Sequence, residues 1–135
     1  MSRQITCFLI DDDQDDQEIF LSVLHGFTPA IHCETADNGK EGLHKLLTGE
    51  VNPDIIFLDL NMPLMNGKQF LEARQDHEKI KHIPVIILST SSDHKTILEA
   101  RQWGAKHFIT KPDKFSLWEI SVRSVLQDSN VYAIL

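Results

Sequence analysis

At 135 residues the chain has the length of one domain, enough for a real core and too short for two ordinary domains. Hydrophobic residues make up 41% and charged residues 24%, which excludes disordered and fibrous classes. The net charge of −7 argues against nucleic acid or anionic membrane as a partner, because phosphate surfaces are held by clustered Lys and Arg.

The predicted elements alternate along the chain. Residues 5–10 (ITCFLI) form the first strand candidate, and five aspartates follow within six positions, at Asp11, Asp12, Asp13, Asp15 and Asp16. Like charges this close raise one another's pKa unless a cation lies among them. A helix is expected over 15–25, with Ile19, Phe20, Val23 and Leu24 on one face. The pattern then repeats: strand 31–35, helix 39–48 with Leu43, Leu46 and Leu47 inward, strand 54–59, helix 66–76, strand 84–89 and helix 92–103. Strand 105–110 and a helix over 115–127 complete it, where Phe115, Trp118, Val122 and Val125 recur at spacings that put one apolar stripe against the sheet. The tripeptide Asn-Gly-Lys occurs at 38–40 and 66–68. Asn-Gly by itself signals a hairpin, but helical periodicity follows both copies, so both are read as helix entries.

Five βα units imply an α/β fold with a doubly wound parallel sheet and helices on both faces. The strands at 54 and 84 are continuously apolar, as central strands are. Cys7 and Cys33 fall in strand candidates and are expected as reduced, buried thiols; neither they nor the seven histidines show zinc-ligand spacing. No apolar run approaches the roughly 20 residues that span a bilayer, and no secretory leader is visible. A cytoplasmic location is therefore expected.

Open sheets of this kind bind ligands beyond the carboxyl ends of their strands. At those ends stand Asp11, Asp12 and Asp13 after the first strand, Asp59 after the third, Ser89 and Thr90 after the fourth, and Lys111 with Pro112 after the fifth. Clustered carboxylates suit a hard divalent ion such as Mg²⁺, which takes oxygen ligands and keeps several waters.

With Asp11 and Asp12 after CFLI, DLNMP at 59–63, NG at 66–67, PVIILST at 84–90 and KP at 111–112, the chain resembles a two-component response-regulator receiver domain over residues 5–127. More loosely, it is similar to the small stand-alone, chemotaxis-like receivers and to those paired with phytochrome-type sensors. The resemblance implies a (βα)5 flavodoxin-like fold with strand order 2-1-3-4-5, and a single domain with a core at 5–127 and a tail at 128–135. It implies that Asp59 accepts a phosphoryl group from a phosphohistidine. It further implies Mg²⁺ held by Asp12, Asp59 and the backbone carbonyl of Asn61, with Asp11 acting through a water. Lys111 would pair with Asp59 at rest and with the phosphoryl group afterwards. Ser89 and Thr90 join it in the phosphoryl-binding set, and Ser89 with Phe108 forms the switch. The implied partners are a sensor histidine kinase or a histidine phosphotransfer protein, and a downstream protein target. A homodimer through the tail or the switch surface is compatible with this reading; nucleic acid and membrane are not expected.

Three positions depart from the common receiver pattern. Ser89 stands for a frequent Thr, Phe108 lacks the hydroxyl of Tyr, and Thr90 replaces a small residue. Thr90 is expected to narrow access to Asp59 and slow dephosphorylation, with Asn61 and Ser91 also tuning phosphoryl lifetime. Asp13, Asp15 and Asp16 are read as a solvated helix cap. An EF-hand fits Asp11, Asp13 and Asp15 but fails at its sixth and twelfth positions, where Asp16 and Ser22 stand in place of Gly and Glu. The alternative enzyme reading is a small Mg²⁺-dependent phosphatase with Asp11 as the phosphorylated nucleophile.

Overall fold

The computed structural model describes residues 4–27, 31–91 and 93–128. Five parallel strands, β1 (Thr6–Ile10), β2 (His32–Ala36), β3 (Ile55–Leu58), β4 (Val85–Ser89) and β5 (His107–Thr110), form one sheet in the order β2-β1-β3-β4-β5. Five helices link them or follow the last: α1 (Gln14–His25), α2 (Gly39–Leu47), α3 (Gly67–Arg74), α4 (His94–Gln102) and α5 (Phe115–Asp128). The expected flavodoxin-like order is thus the observed one. Residues 129–135, most of the expected tail, lie outside the described residues.

Strand side chains alternate between two apolar layers, which explains why β1, β3 and β4 read as unbroken apolar runs. Cys7, Leu9, Ile55, Phe57, Ile86 and Leu88 join the layer under α1 and α5, while Phe8, Ile10, Ile56, Leu58, Val85 and Ile87 join the layer under α2, α3 and α4. In the first layer Phe20 of α1 packs on Phe57 with ring centroids 4.8 Å apart and planes tilted by 58°. Full burial of one such side chain stabilises the fold by about 1.5–3 kcal/mol. Cys7 is buried and Cys33 half-buried, and both are free thiols.

Helix entries follow the caps written in the sequence. Asp13 caps α1 by accepting from the amides of Asp15 and Asp16. Asn38 caps α2, and Asn66 with Gln69 forms a reciprocal capping box on α3, so both Asn-Gly-Lys copies start helices.

One expected core residue is not in the core. Phe115 is 54% exposed, and the inward stripe of α5 consists of Trp118, Val122, Val125 and Leu126. Phe115 is the first residue of its helix, beside the loop that follows β5, where it lines a surface groove instead of covering the sheet. Among the described residues no helix is long and apolar enough to cross a membrane.

Candidate functional site

Parallel pairing brings the carboxyl ends of β1, β3, β4 and β5 to one edge, and main-chain bonds hold the residues just beyond them in register. The Asp59 amide donates to the carbonyl of Ile10 at 3.0 Å, and the Lys111 amide donates to the carbonyl of Ser89 at 2.7 Å. Asp11 is fully buried: its Oδ1 accepts from the Asp13 amide at 2.9 Å, and its carbonyl accepts from Gln17 Nε2 at 2.6 Å. Gln17 Nε2 also donates to Asp37 Oδ1 at 3.0 Å, which ties α1 to the loop after β2.

The loop after Asp59 turns tightly. The Gly67 amide donates to the Leu60 carbonyl at 2.9 Å, and a Cβ at Gly67 would lie 2.7 Å from the Asp59 carbonyl oxygen and 2.8 Å from Leu60 Cα. Only glycine lets α3 begin this close to the Asp59 backbone. Gly39 is constrained in the same way, since a Cβ there would meet the Met65 carbonyl oxygen at 2.6 Å.

One carboxylate oxygen each from Asp11, Asp12 and Asp59 lies within 4.8 Å of the others, with Asp11 and Asp59 buried and Asp12 exposed. Lys111 reaches into the same pocket, its side chain only 7% exposed. Its Nζ lies 2.7 Å from Asp16 Oδ2, 2.9 Å from Asp11 Oδ2 and 3.7 Å from Asp59 Oδ2. The Asp16 contact is a hydrogen bond, and at 2.9 Å the same ammonium also faces the buried Asp11 Oδ2.

The electrostatics follow from this crowding. Burial pushes the Asp59 carboxyl up to about 6; Lys111 opposes that shift, Asp11 adds to it, and the amides of Asn61 and Leu60 oppose it. Burial likewise raises Asp11, against the pull of the Asp13 amide and of Lys111. For Lys111 burial favours the neutral amine, but hydrogen bonding to Asp16 and Asp11 and the charges of Asp11 and Asp59 outweigh it, so the ammonium is held above its ordinary value.

The structure therefore gathers Asp11, Asp12, Asp59 and Lys111 into one pocket. Ser89 is buried at the end of β4, where its Oγ accepts from the Ser91 amide at 3.3 Å. Thr90 is exposed on the rim, in a groove shared with Asp16, Lys111, Phe115 and Trp118. Asn61 follows Asp59 and is exposed. Phe108 lies half-buried against the apolar layer under α2, α3 and α4, in register with Ile87.

One expectation needs correction. Asp16 is not simply a solvated cap residue: its amide does bond to Asp13, but its carboxylate is the nearest partner of Lys111. Lys111 is within ion-pair distance of Asp59, at 3.7 Å, and shares its ammonium with Asp16 and Asp11 at shorter range. The ammonium sits 1.0 Å closer to Asp16 than to Asp59 (3.7 − 2.7 Å) because α1 carries Asp16 over the side of the pocket that β5 enters.

Three carboxylate oxygens from separate acids, two of those acids buried, make a donor set that fits a hard divalent ion. Fold and pocket together define a phospho-acceptor of the receiver type. The chain belongs to the response regulator receiver domain family, whose pattern it matches over residues 7–120. It is 29% identical over 124 residues to the chemotaxis protein CheY of Pseudomonas aeruginosa, covering 90% of this chain and 96% of that protein. To the regulatory protein AtoC of Escherichia coli it is 33% identical over 126 residues, 91% of this chain but 26% of that protein. Against several curated relatives the chain spans only 26% to 46% of their length. The phosphorylated cyanobacterial phytochrome response regulator RcpA superposes with a TM-score of 0.84 at 26% identity, covering 93% of each chain.

Proposed function

We propose that Asp59 is the phosphoryl acceptor of this receiver, and that the donor is a phosphohistidine on a sensor histidine kinase or a histidine phosphotransfer protein. The observation that carries this reading is a buried carboxylate at the end of β3 with an ammonium 3.7 Å away and two further acids within ligand distance. In the transfer, an Asp59 carboxylate oxygen forms a bond to phosphorus while the phosphorus–nitrogen bond to the donor imidazole breaks. The imidazole leaves with its electron pair. Asp12, Asp59 and the Asn61 carbonyl would hold Mg²⁺, with Asp11 acting through a water; the ion supplies neutralisation of charge on the phosphoryl oxygens. Lys111 would add a second positive charge beside Asp59.

Asp59 is favoured over Asp11, the nucleophile of the phosphatase alternative, because Asp11 is wholly buried whereas Asp59 keeps some exposure. Ser89, buried at the end of β4, would donate its hydroxyl to a phosphoryl oxygen. Phe108 then moves with it into the vacated space, and the surface of α4 and β5 changes for a downstream protein. Thr90 on the rim shields the acyl phosphate and slows autodephosphorylation, which with phosphotransfer makes up the chain's own chemistry. A cytoplasmic setting, where a histidine kinase domain works, suits all of these steps.

Intact-mass analysis after treatment with phosphoramidate and Mg²⁺ tests the reading. The protein should gain one phosphoryl group, and Asp59→Asn should gain none. Labelling of Asp59→Asn, or continuous hydrolysis of the donor with no labelled protein, would refute it.

A further inference from the structure

Resting on Asp59 as the acceptor, we infer that Asp16 is a positioning residue that holds the Lys111 ammonium off the Asp59 carboxylate while keeping it beside the place a phosphoryl oxygen will occupy. Asp16 accepts a hydrogen bond from Lys111 Nζ at 2.7 Å, while the same nitrogen stands 3.7 Å from Asp59 Oδ2, beyond hydrogen-bond distance. An ammonium has three N–H bonds. One is committed to Asp16, leaving two on the pocket side for Asp11, at 2.9 Å, and for whatever arrives at Asp59.

The consequence is twofold. A lysine bonded directly to Asp59 would occupy the lone pairs that must attack phosphorus, and Asp16 withholds it. A lysine anchored only through its flexible four-carbon stem would lose rotamer freedom when it met the phosphoryl group, and Asp16 fixes it beforehand. The anchor itself is well held. Asp16 is in the first turn of α1, its amide bonds to the Asp13 cap, and its side chain is only 19% exposed against Lys111. Asp15, one position earlier, carries the same charge in the same turn but is exposed and serves as an internal comparison.

The test is calorimetric titration with beryllofluoride and Mg²⁺, which mimic the phosphoryl group on a carboxylate, for the wild type, Asp16→Asn, Asp15→Asn and Asp59→Asn. The rate of phosphoramidate labelling is followed in parallel. Asp16→Asn should weaken beryllofluoride binding and slow labelling by about three- to tenfold, less than a whole charge-assisted hydrogen bond because the Asn oxygen can still accept from the ammonium. Asp15→Asn should leave both within about twofold, as expected for a screened surface charge. The ¹⁵N resonance of the Lys111 ammonium should shift in Asp16→Asn and not in Asp15→Asn, a signature that a general loss of stability would not produce. Should Asp16→Asn fail to fold, Asp16→Ser carries the same comparison.

Binding that is unchanged or tighter in the Asp16 variant would overturn the inference, as would an equal effect from Asp15→Asn. If Asp59→Asn still binds beryllofluoride and accepts phosphate, the acceptor assignment falls and this inference falls with it. A silent Asp59→Asn beside an unaffected Asp16 variant overturns the inference alone.

Discussion

Replacing Asp59 by Asn should stabilise the metal-free, unphosphorylated protein, and the gain should grow with pH. The Asp59 carboxyl titrates at about 6 in the fold against an ordinary 3.8, chiefly because it is buried. A raised folded pKa means that the native state binds the proton more tightly than the unfolded chain does. The stabilisation from protonated Asp59 is therefore complete below about pH 3.8 and is lost as pH climbs through about 6. Integrated across that window, the ionised carboxylate costs the native state about 1 kcal/mol at pH 4.5 and about 3 kcal/mol at pH 7.5. Asn is neutral at both, so its advantage over the wild type should widen by about 2 kcal/mol between them.

Urea unfolding in EDTA reads this directly. With a slope near 2 kcal/mol per molar urea, the midpoint of Asp59→Asn relative to wild type should rise by about 1 M more at pH 7.5 than at pH 4.5. Added Mg²⁺ should narrow the gap, because an ion that binds the native wild type stabilises it by mass action. A midpoint difference independent of pH, or one that shrinks toward pH 7.5, would refute the argument that Asp59 is held ionised against its surroundings.

Lys111→Met keeps most of the apolar stem but removes the cation shared by Asp11, Asp16 and Asp59, so at pH 7.5 it should cost about 3 kcal/mol, as loss of one partner from a buried ion pair does. The cost should fall at pH 5, where Asp59 takes up a proton, and equal losses at both pH values by urea unfolding would contradict the charge argument. Gly67→Ala should destabilise by about 1–3 kcal/mol, because its Cβ would lie 2.7 Å from the Asp59 carbonyl oxygen and the backbone must give way. Mg²⁺ affinity, measured by calorimetry on the same variant, should drop with it; unaltered stability would show that the β3–α3 turn can relax without cost.

Which of these features the sequence discloses depends on what each is measured against. Apolar runs and periodicity report a side chain's direction relative to its own strand or helix. The strands β1, β3 and β4 were legible because burial on both faces leaves them unbroken, and Asn38 and Asn66 were legible as caps because the helical period follows them. The edge bearing Asp11, Asp59, Ser89 and Lys111 was legible too, since parallel strands must end together. Phe115 fits the spacing of α5, but spacing does not say how far the sheet extends beneath the helix's first turn. Asp16 is the harder case, because its partner lies 95 positions away and the distance between α1 and the loop after β5 is a property of packing between elements. A partial signal nonetheless exists. Gln17 stands in phase with Phe20 and Leu24, an apolar phase, so its amide must find polar partners inside, and it does so at Asp11 and Asp37. A polar residue in that phase marks where α1 meets the acidic pocket, and Asp16, one helix position earlier and about 100° around, borders the same pocket. Of the five clustered aspartates, it is therefore the one on α1 placed to meet a cation arriving from β5.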